Sequence, residues 1–220
     1  MTATMTKDEG HLDDPTDGQY VLYGRRHSNQ RIFTKMLIAA LLSLVAAFVL
    51  AVEALHLAED PTASLACDVN AVLSCGTVAQ SWQAEAFGFP NVFLGLMFES
   101  AAIMMALIGL SGVRIPRWLA IAEQVIYTFA LLFALWLFSQ SMWVIGALCP
   151  WCMLITYSTG FIFLSMLHYN IRERNLWRSG RGAKIAHAFV QRDIDLYVGI
   201  GYVALITVLV VAKYGPQLVA

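Results

Sequence analysis

The chain has 220 residues, of which 59% are hydrophobic and only 13% are charged, with a formal net charge of −1 at pH 7. This composition excludes an ordinary soluble globular domain, and it is typical of a protein whose solvent is lipid. The near-neutral charge gives no reason to expect a nucleic-acid partner.

The chain begins with a polar segment and continues with five apolar runs. Residues 1–30 are rich in charge, Asp, Gly and Thr, so we expect a disordered tail that is too long and polar to precede a signal-peptide core. Each later run is long enough to cross a hydrocarbon core of about 30 Å. The predicted membrane helices are Ile32–Leu55, Val92–Leu110, Trp118–Gln140, Leu148–Tyr169 and Leu196–Tyr214. The sequence therefore predicts an all-α membrane protein with five transmembrane helices.

The longest stretch between these helices, residues 56–90, contains no Lys or Arg. Within it the apolar residues of Asp68–Ala84 recur at roughly helical spacing, which predicts a short amphipathic helix along the membrane surface. The segment 171–195 is polar and basic and contains two glycines, as expected of a connector with a frayed helix.

The basic residues indicate how the chain is oriented. If the five helices alternate in direction, 13 of the 14 Lys and Arg residues lie on the same side as the N-terminus, and only Lys213 lies on the other. The positive-inside rule then predicts a cytoplasmic N-terminus, with segment 56–90 and the C-terminus facing outward. We interpret the arginines as signals of topology rather than as ligands of nucleic acid.

The chain has four cysteines, and this topology places all of them on the outward side, which implies an oxidising compartment. Cys149-Pro150-Trp151-Cys152 is a Cys-x-x-Cys motif at the start of the fourth membrane helix. Backbone amides and the helix dipole favour a thiolate there by up to about 1–2 kcal/mol. Such a pair has water on one side and an apolar bundle on the other, so we expect a lipid-soluble quinone as its electron acceptor.

Cys67 and Cys75 lie in the outward loop and are predicted to form a shuttle pair. A relay between a soluble protein and a buried pair needs a movable intermediate, because a thiolate must reach a disulfide sulfur in line. Cys75 is the better candidate for attack on Cys149, which leaves Cys67 for the external partner. The alternatives are disulfides that only pin the helices and a four-cysteine zinc site; the motif spacings disfavour both, and we expect no metal.

Four short motifs match a known family: Cys67-Asp68-Val69-Asn70, Ser74-Cys75, Phe87-Gly88 and Cys149-x-x-Cys152. In this order, and over roughly residues 35–170, the chain resembles the vitamin K epoxide reductases and their bacterial homologues. The cysteine order is the specific part, because the other membrane thiol:quinone oxidase family, the DsbB-like proteins, has the reverse order.

The resemblance implies a four-helix catalytic bundle around a quinone in residues 31–170, followed by the connector 171–195 and a fifth helix at 196–214. Many bacterial members continue into a fused thioredoxin-like domain. This chain ends at Ala220. We therefore expect the partner to be a separate thioredoxin-fold (DsbA-like) protein.

The resemblance also implies roles for individual residues. Cys152 would lie beside the quinone, which would be menaquinone or ubiquinone, and Cys149 would form a mixed disulfide with Cys75 while Cys67 meets the partner. Asn91 is a candidate donor to a quinone carbonyl, with a helix N-cap as the alternative.

Three other positions need an interpretation. Vertebrate members have a tyrosine four residues after the last cysteine; here Thr156 stands there and Tyr157 follows on another helix face, so the chain departs from the vertebrate pattern at this position. We interpret Glu53 as part of the polar end of the first helix rather than as an influence on the loop thiols. Glu99 lies deeper in a membrane helix and is a candidate for proton transfer or packing.

Together these features predict an enzyme of the bacterial inner membrane that reoxidises an extracytoplasmic thioredoxin-fold protein and passes the electrons to quinone. One alternative uses the same cysteines to reduce vitamin K epoxide. Another is a non-catalytic membrane scaffold with structural disulfides.

Overall fold

The computed structural model describes residues 25–70, 72–177 and 179–218. Five of its helices are long and apolar enough to cross a membrane. They are α1 (Asn29–Glu59), α3 (Val92–Leu110), α4 (Arg117–Gln140), α5 (Pro150–Arg172) and α7 (Ile194–Leu218). The prediction of a multi-pass, all-helical membrane protein is confirmed, and each predicted boundary lies within four residues of the observed one.

Shorter elements precede or connect these helices. They are α2 (Cys75–Ala79), α6 (Gly180–Gln191), the 3-10 helices Arg25–His27 and Trp82–Glu85, and a π-helical turn at Ser141–Ile145 that continues α4. Gly146 follows that turn with a φ of +76°, a left-handed conformation that glycine adopts without strain. The chain can therefore reverse direction sharply before α5 begins.

Helix α1 lies at the centre of the bundle, where it packs against α3 and α5, while α4 packs on the other side of α5. Helix α7 packs on α5 from outside this group of four. Gly109 of α3 has no room for a Cβ atom, because the Phe33 ring of α1 occupies that position. Small residues of this kind let helices approach closely in lipid, where no hydrophobic effect drives them together.

The two ends of the bundle differ in character. We call the end that carries Cys149 and residues 60–91 the cysteine end, and the other the basic end. At the basic end, His168 of α5 bonds to Asp195 of α7 at 2.8 Å and to His27 at 3.0 Å, and Arg26 donates to Asp195 at 2.8 Å. These bonds attach the start of α7 to the bundle.

Two sequence predictions need correction. The predicted tail reached residue 30, but Arg25–His27 form a 3-10 helix and α1 begins at Asn29; residues 1–24 lie outside the described residues. The predicted surface helix Asp68–Ala84 is wrong in its first part, since α2 begins only at Cys75. The Asn70 side chain accepts hydrogen bonds from the backbone N–H groups of Val72 and Leu73 at 2.9 and 2.8 Å, which replaces helical bonding by a turn.

Candidate active site

The loop that carries Cys67 and Cys75 is organised around the carboxylate of Asp68. One oxygen accepts from the Gly76 backbone N–H and the Ser74 hydroxyl, both at 2.9 Å, and the other accepts from the Leu65 N–H at 2.9 Å. Burial opposes ionisation of Asp68, but these hydrogen bonds outweigh it and hold the pKa of the carboxyl below its usual value. Asp68 therefore stays charged at neutral pH and fixes both cysteine-bearing arms of the loop.

A short backbone bridge joins this loop to the chain before α5. The Leu148 N–H donates to the Val72 carbonyl at 2.7 Å, and the Ser74 N–H donates to the Leu148 carbonyl at 3.1 Å. Leu73 and Leu148 thereby pair as an isolated parallel β-bridge. Because Cys75 and Cys149 follow the bridge almost at once on the two strands, the pairing register brings the two thiol-bearing segments together.

The four cysteines meet in one apolar cluster at the cysteine end. Cys67 and Cys75 form a disulfide with a Cα–Cα distance of 5.6 Å, whereas Cys149 and Cys152 are free thiols. The Cys149 Sγ lies 3.3 Å from the Cys75 Sγ, and the exposed fractions of these two residues are 2% and 1%. An oxidised pair and a reduced pair are thus in direct sulfur contact.

Cys149 occupies the N-cap position of α5, with Pro150 at the first helical position. The Cys152 backbone N–H points at the Cys149 Sγ from 3.3 Å, which favours the thiolate form of Cys149. Cys152 lies in the first turn of α5 and is half-buried. The Cys-x-x-Cys motif therefore lies at the start of α5, as the sequence predicts.

Glu53 of α1 lies against the loop disulfide, a contact that the sequence interpretation missed. Its two carboxylate oxygens are 3.4 and 3.5 Å from the Cys67 Sγ, and only 8% of the residue is exposed. A ligand atom of Glu53 also lies within 4.8 Å of the sulfurs of Cys67 and Cys75. A disulfide offers no thiolate to a metal ion, so in this oxidation state the three residues are not a metal site.

Asn91 stands at the N-cap position of α3, but its side chain makes no capping bond. Its Nδ2 instead donates to the Gln83 carbonyl at 2.6 Å, and Gln83 donates to Gln140 at the end of α4 at 3.2 Å. The buried Oδ1 of Asn91 has no partner among the described residues. Asn91 therefore ties the 3-10 helix Trp82–Glu85 to α3, and its contact with a quinone stays a prediction.

The hydroxyl groups near Cys152 are used within the protein. The Thr156 hydroxyl donates to the Cys152 carbonyl at 2.8 Å, and the Tyr157 hydroxyl pairs with Thr207 of α7 at 3.0 Å. Tyr157 therefore points to the fifth helix, as its different helix face indicates. It does not replace the tyrosine that vertebrate members have four residues after the last cysteine.

Glu99 lies inside the bundle, where it joins three helices. It accepts from the Ser43 hydroxyl of α1 at 2.8 Å and from the Tyr127 hydroxyl of α4 at 3.3 Å, and only 3% of the residue is exposed. Both carboxylate oxygens thus have a donor. This geometry fits the packing interpretation of Glu99.

Residues 34–167 match the family model for the vitamin K epoxide reductase family. The chain belongs to the vitamin K epoxide reductase family. The matched segment covers more than half of the chain and contains all four cysteines. It includes most of α1, all of α3 and α4, and α5 except for its last turn, whereas α7 lies outside it. Membership makes the protein a membrane oxidoreductase, of a family that generally uses quinone as electron acceptor. A sequence comparison with curated proteins gives no match.

Proposed function

We propose that the protein takes electrons from the thiols of an extracytoplasmic thioredoxin-fold (DsbA-like) protein and passes them to quinone. The observation that carries the proposal is the 3.3 Å separation of Cys75 and Cys149 across the oxidised and reduced pairs. Thiol–disulfide exchange requires such an approach of sulfur to sulfur. In a scaffold whose disulfides only hold helices together, nothing requires a buried free thiol such as Cys149 in contact with the Cys67–Cys75 disulfide.

The cysteines would act in a fixed order, starting from a Cys149–Cys152 disulfide and a reduced loop. The Cys75 thiolate attacks the Cys149 sulfur, so that a Cys75–Cys149 bond forms and Cys152 leaves as a thiolate. Cys67 then attacks Cys75, forming the loop disulfide and releasing Cys149. The pairing in the structure, with Cys67 bonded to Cys75 and a free Cys149 beside them, corresponds to the end of this step.

The partner closes the cycle at Cys67. A thiolate of the partner attacks the Cys67 sulfur, and Cys75 leaves as the thiolate that starts the next transfer. The second partner thiol then attacks the partner's own mixed disulfide and releases Cys67. The partner gains a disulfide, and two electrons have entered the loop pair.

A quinone, menaquinone or ubiquinone, would lie near Cys152, and when bound it supplies an acceptor for two electrons and two protons. Cys152 is half-buried in the first turn of α5, where it packs against the apolar cluster around the other three cysteines. Asn91 has a buried carbonyl oxygen without a partner among the described residues, which suits the hydroxyl of a reduced quinone better than a quinone carbonyl. Both observations support a quinone at the cysteine end of the bundle.

The proposed location is the bacterial inner membrane, with the N-terminus in the cytoplasm and the cysteine end facing outward. The distribution of the 14 Lys and Arg residues supports this orientation. It places the disulfide chemistry in an oxidising compartment.

Steady-state turnover with a reduced thioredoxin-fold protein tests the proposal. The purified protein is supplied with ubiquinone, menaquinone or vitamin K epoxide, and partner thiols and acceptor are measured together. We expect one quinone reduced for each partner disulfide formed, and no turnover in Cys149→Ser or Cys152→Ser. Reduction of the epoxide without reduction of quinone would make the epoxide reductase the correct assignment, and four inert cysteines would favour the scaffold.

A further inference from the structure

We propose that Glu53 is the proton acceptor and donor for Cys67, an inference that rests on the proposed thiol relay. Cys67 must lose a proton each time it attacks Cys75 and regain one each time the partner releases it. The carboxylate of Glu53 is 3.4 Å from the Cys67 Sγ, within the reach of an S–H···O hydrogen bond once Cys67 is a thiol.

The surroundings of Glu53 indicate a function beyond a polar helix end. The residue is only 8% exposed, and in the described part of the chain its carboxylate contacts the Cys67 sulfur. The ion pairs of the described residues all lie at the basic end, so none of them compensates this carboxylate. Burying a carboxylate without a cation is costly, and such groups are typical of sites where a proton moves.

The other titratable groups near Glu53 are less suited to this task. Asp68 faces it from the loop, but three donors already hold that carboxylate in its charged form. His56 lies on the same helix and is exposed. Cys149 and Cys152 face Glu53 from the start of α5 and are themselves reactants of the relay.

The proposed step balances in atoms and charge. As the Cys67 sulfur bonds to the Cys75 sulfur, the Cys75–Cys149 bond breaks and Cys149 leaves as a thiolate. Glu53 takes the proton of the Cys67 thiol and becomes a neutral carboxylic acid. When the partner later releases Cys67 as a thiolate, the same acid returns the proton.

The test uses Glu53→Gln, which keeps the size of the side chain but cannot accept the proton. The full-length reduced protein is mixed with quinone, quenched with acid and alkylated, and its disulfides are mapped over time. We expect the Cys75–Cys149 bond to persist about 100-fold longer in this variant, because general acid–base catalysis contributes at least that much. Glu59→Gln changes an exposed glutamate of the same helix and should behave as the wild type.

A pH series separates proton transfer from a structural effect. As the pH rises towards about 8.5, the ordinary pKa of a thiol, Cys67 ionises without help and the defect of Glu53→Gln should shrink. A defect that is the same at every pH would overturn the proposal, as would a variant that maps like the wild type. If Glu53→Gln does not fold, Glu53→Asp replaces it, with a smaller delay expected and no delay contradicting the proposal.

The same experiment distinguishes this inference from the proposed function. Wild-type protein that fails to reduce quinone at all contradicts the relay itself. If the wild type reduces quinone normally and Glu53→Gln accumulates no Cys75–Cys149 bond, only the role of Glu53 is contradicted.

Discussion

Replacing Asp68 with alanine tests whether the hydrogen bonds of the loop hold Cys75 against Cys149. The substitution removes the acceptor for the Gly76 and Leu65 N–H groups and for the Ser74 hydroxyl. A hydrogen bond to a charged acceptor contributes about 1.5–3 kcal/mol. Since Asp68 is half-exposed and the bonds share one carboxylate, we take the value of a single bond as the total.

Losing that free energy lowers the population of loops that hold Cys75 against Cys149 by about 10- to 100-fold, because each 1.4 kcal/mol changes an equilibrium constant about tenfold. Transfer between the two cysteine pairs should slow by the same factor. The assay follows formation of the Cys67–Cys75 disulfide after a quinone pulse, by rapid quench and mapping. Asp60→Ala is the matched control, because Asp60 is exposed and its side chain accepts hydrogen bonds from Thr62 within its own turn.

The effect should depend on pH with a defined sign. The pKa of Asp68 is lowered in the folded loop, so its contribution is fully present above the unfolded carboxyl value of about 3.9 and is lost as the pH falls through the lowered pKa. The wild type and Asp68→Ala should therefore differ fully in transfer rate at pH 7, and their thermal stabilities should converge in strong acid, where thiol–disulfide exchange itself stops. Transfer at the wild-type rate in Asp68→Ala at pH 7 would refute the reasoning.

Two further substitutions test the relay and the packing of the fifth helix. Cys67→Ser removes the thiol that resolves the mixed disulfide, so mapping during turnover should find an accumulated Cys75–Cys149 bond, and its absence would contradict the assigned order. Gly160→Ala places a methyl group in the Tyr202 ring of α7 and should destabilise the protein by about 1–3 kcal/mol in thermal unfolding in detergent. Gly201→Ala, which meets open space, is its control, and equal stability of the two variants would contradict this packing.

The sequence predicts those parts of the fold that depend on local composition. Each membrane helix is a long apolar run, and lipid requires such a run to satisfy its own backbone groups as a helix. The position of Cys149 and Cys152 at the start of α5 follows from Pro150, which suits the first turn of a helix, and from Gly146, which ends the preceding turn. The sequence also predicts that Cys75 and Cys149 lie close together, because the topology predicted from the basic residues places both on one side of the membrane.

The remaining features depend on contacts between distant residues. A periodicity of apolar residues predicts a helix over Asp68–Ala84, but side-chain bonds from Asp68 and Asn70 to the backbone form a turn in its first part. The pairing of Leu73 with Leu148 involves only a single residue on each strand and leaves no strand pattern in the sequence. Glu53 is at the polar end of α1, and its burial against Cys67 is apparent only once the loop is folded over it.

The bonds at the basic end are a similar case. Arg26 and Asp195 are 169 positions apart in the chain, and His168 joins Asp195 from a third element. Charge patterning assigned Arg26 to topology alone. Its ion pair with α7 could be predicted only from a three-dimensional arrangement of the 3-10 helix Arg25–His27, α5 and α7.

Anaerobic mixing of the fully reduced protein with ubiquinone or menaquinone tests the central claim most directly. Quinone absorbance and remaining thiols are followed together until the reaction stops, with no partner protein present. With four cysteines forming two disulfides, we expect up to two quinones reduced per chain, at the expense of all four thiols. Cys152→Ser should reduce none. Quinone that stays oxidised in the wild type, or that is reduced as fast by Cys152→Ser, would contradict electron transfer from these thiols to quinone.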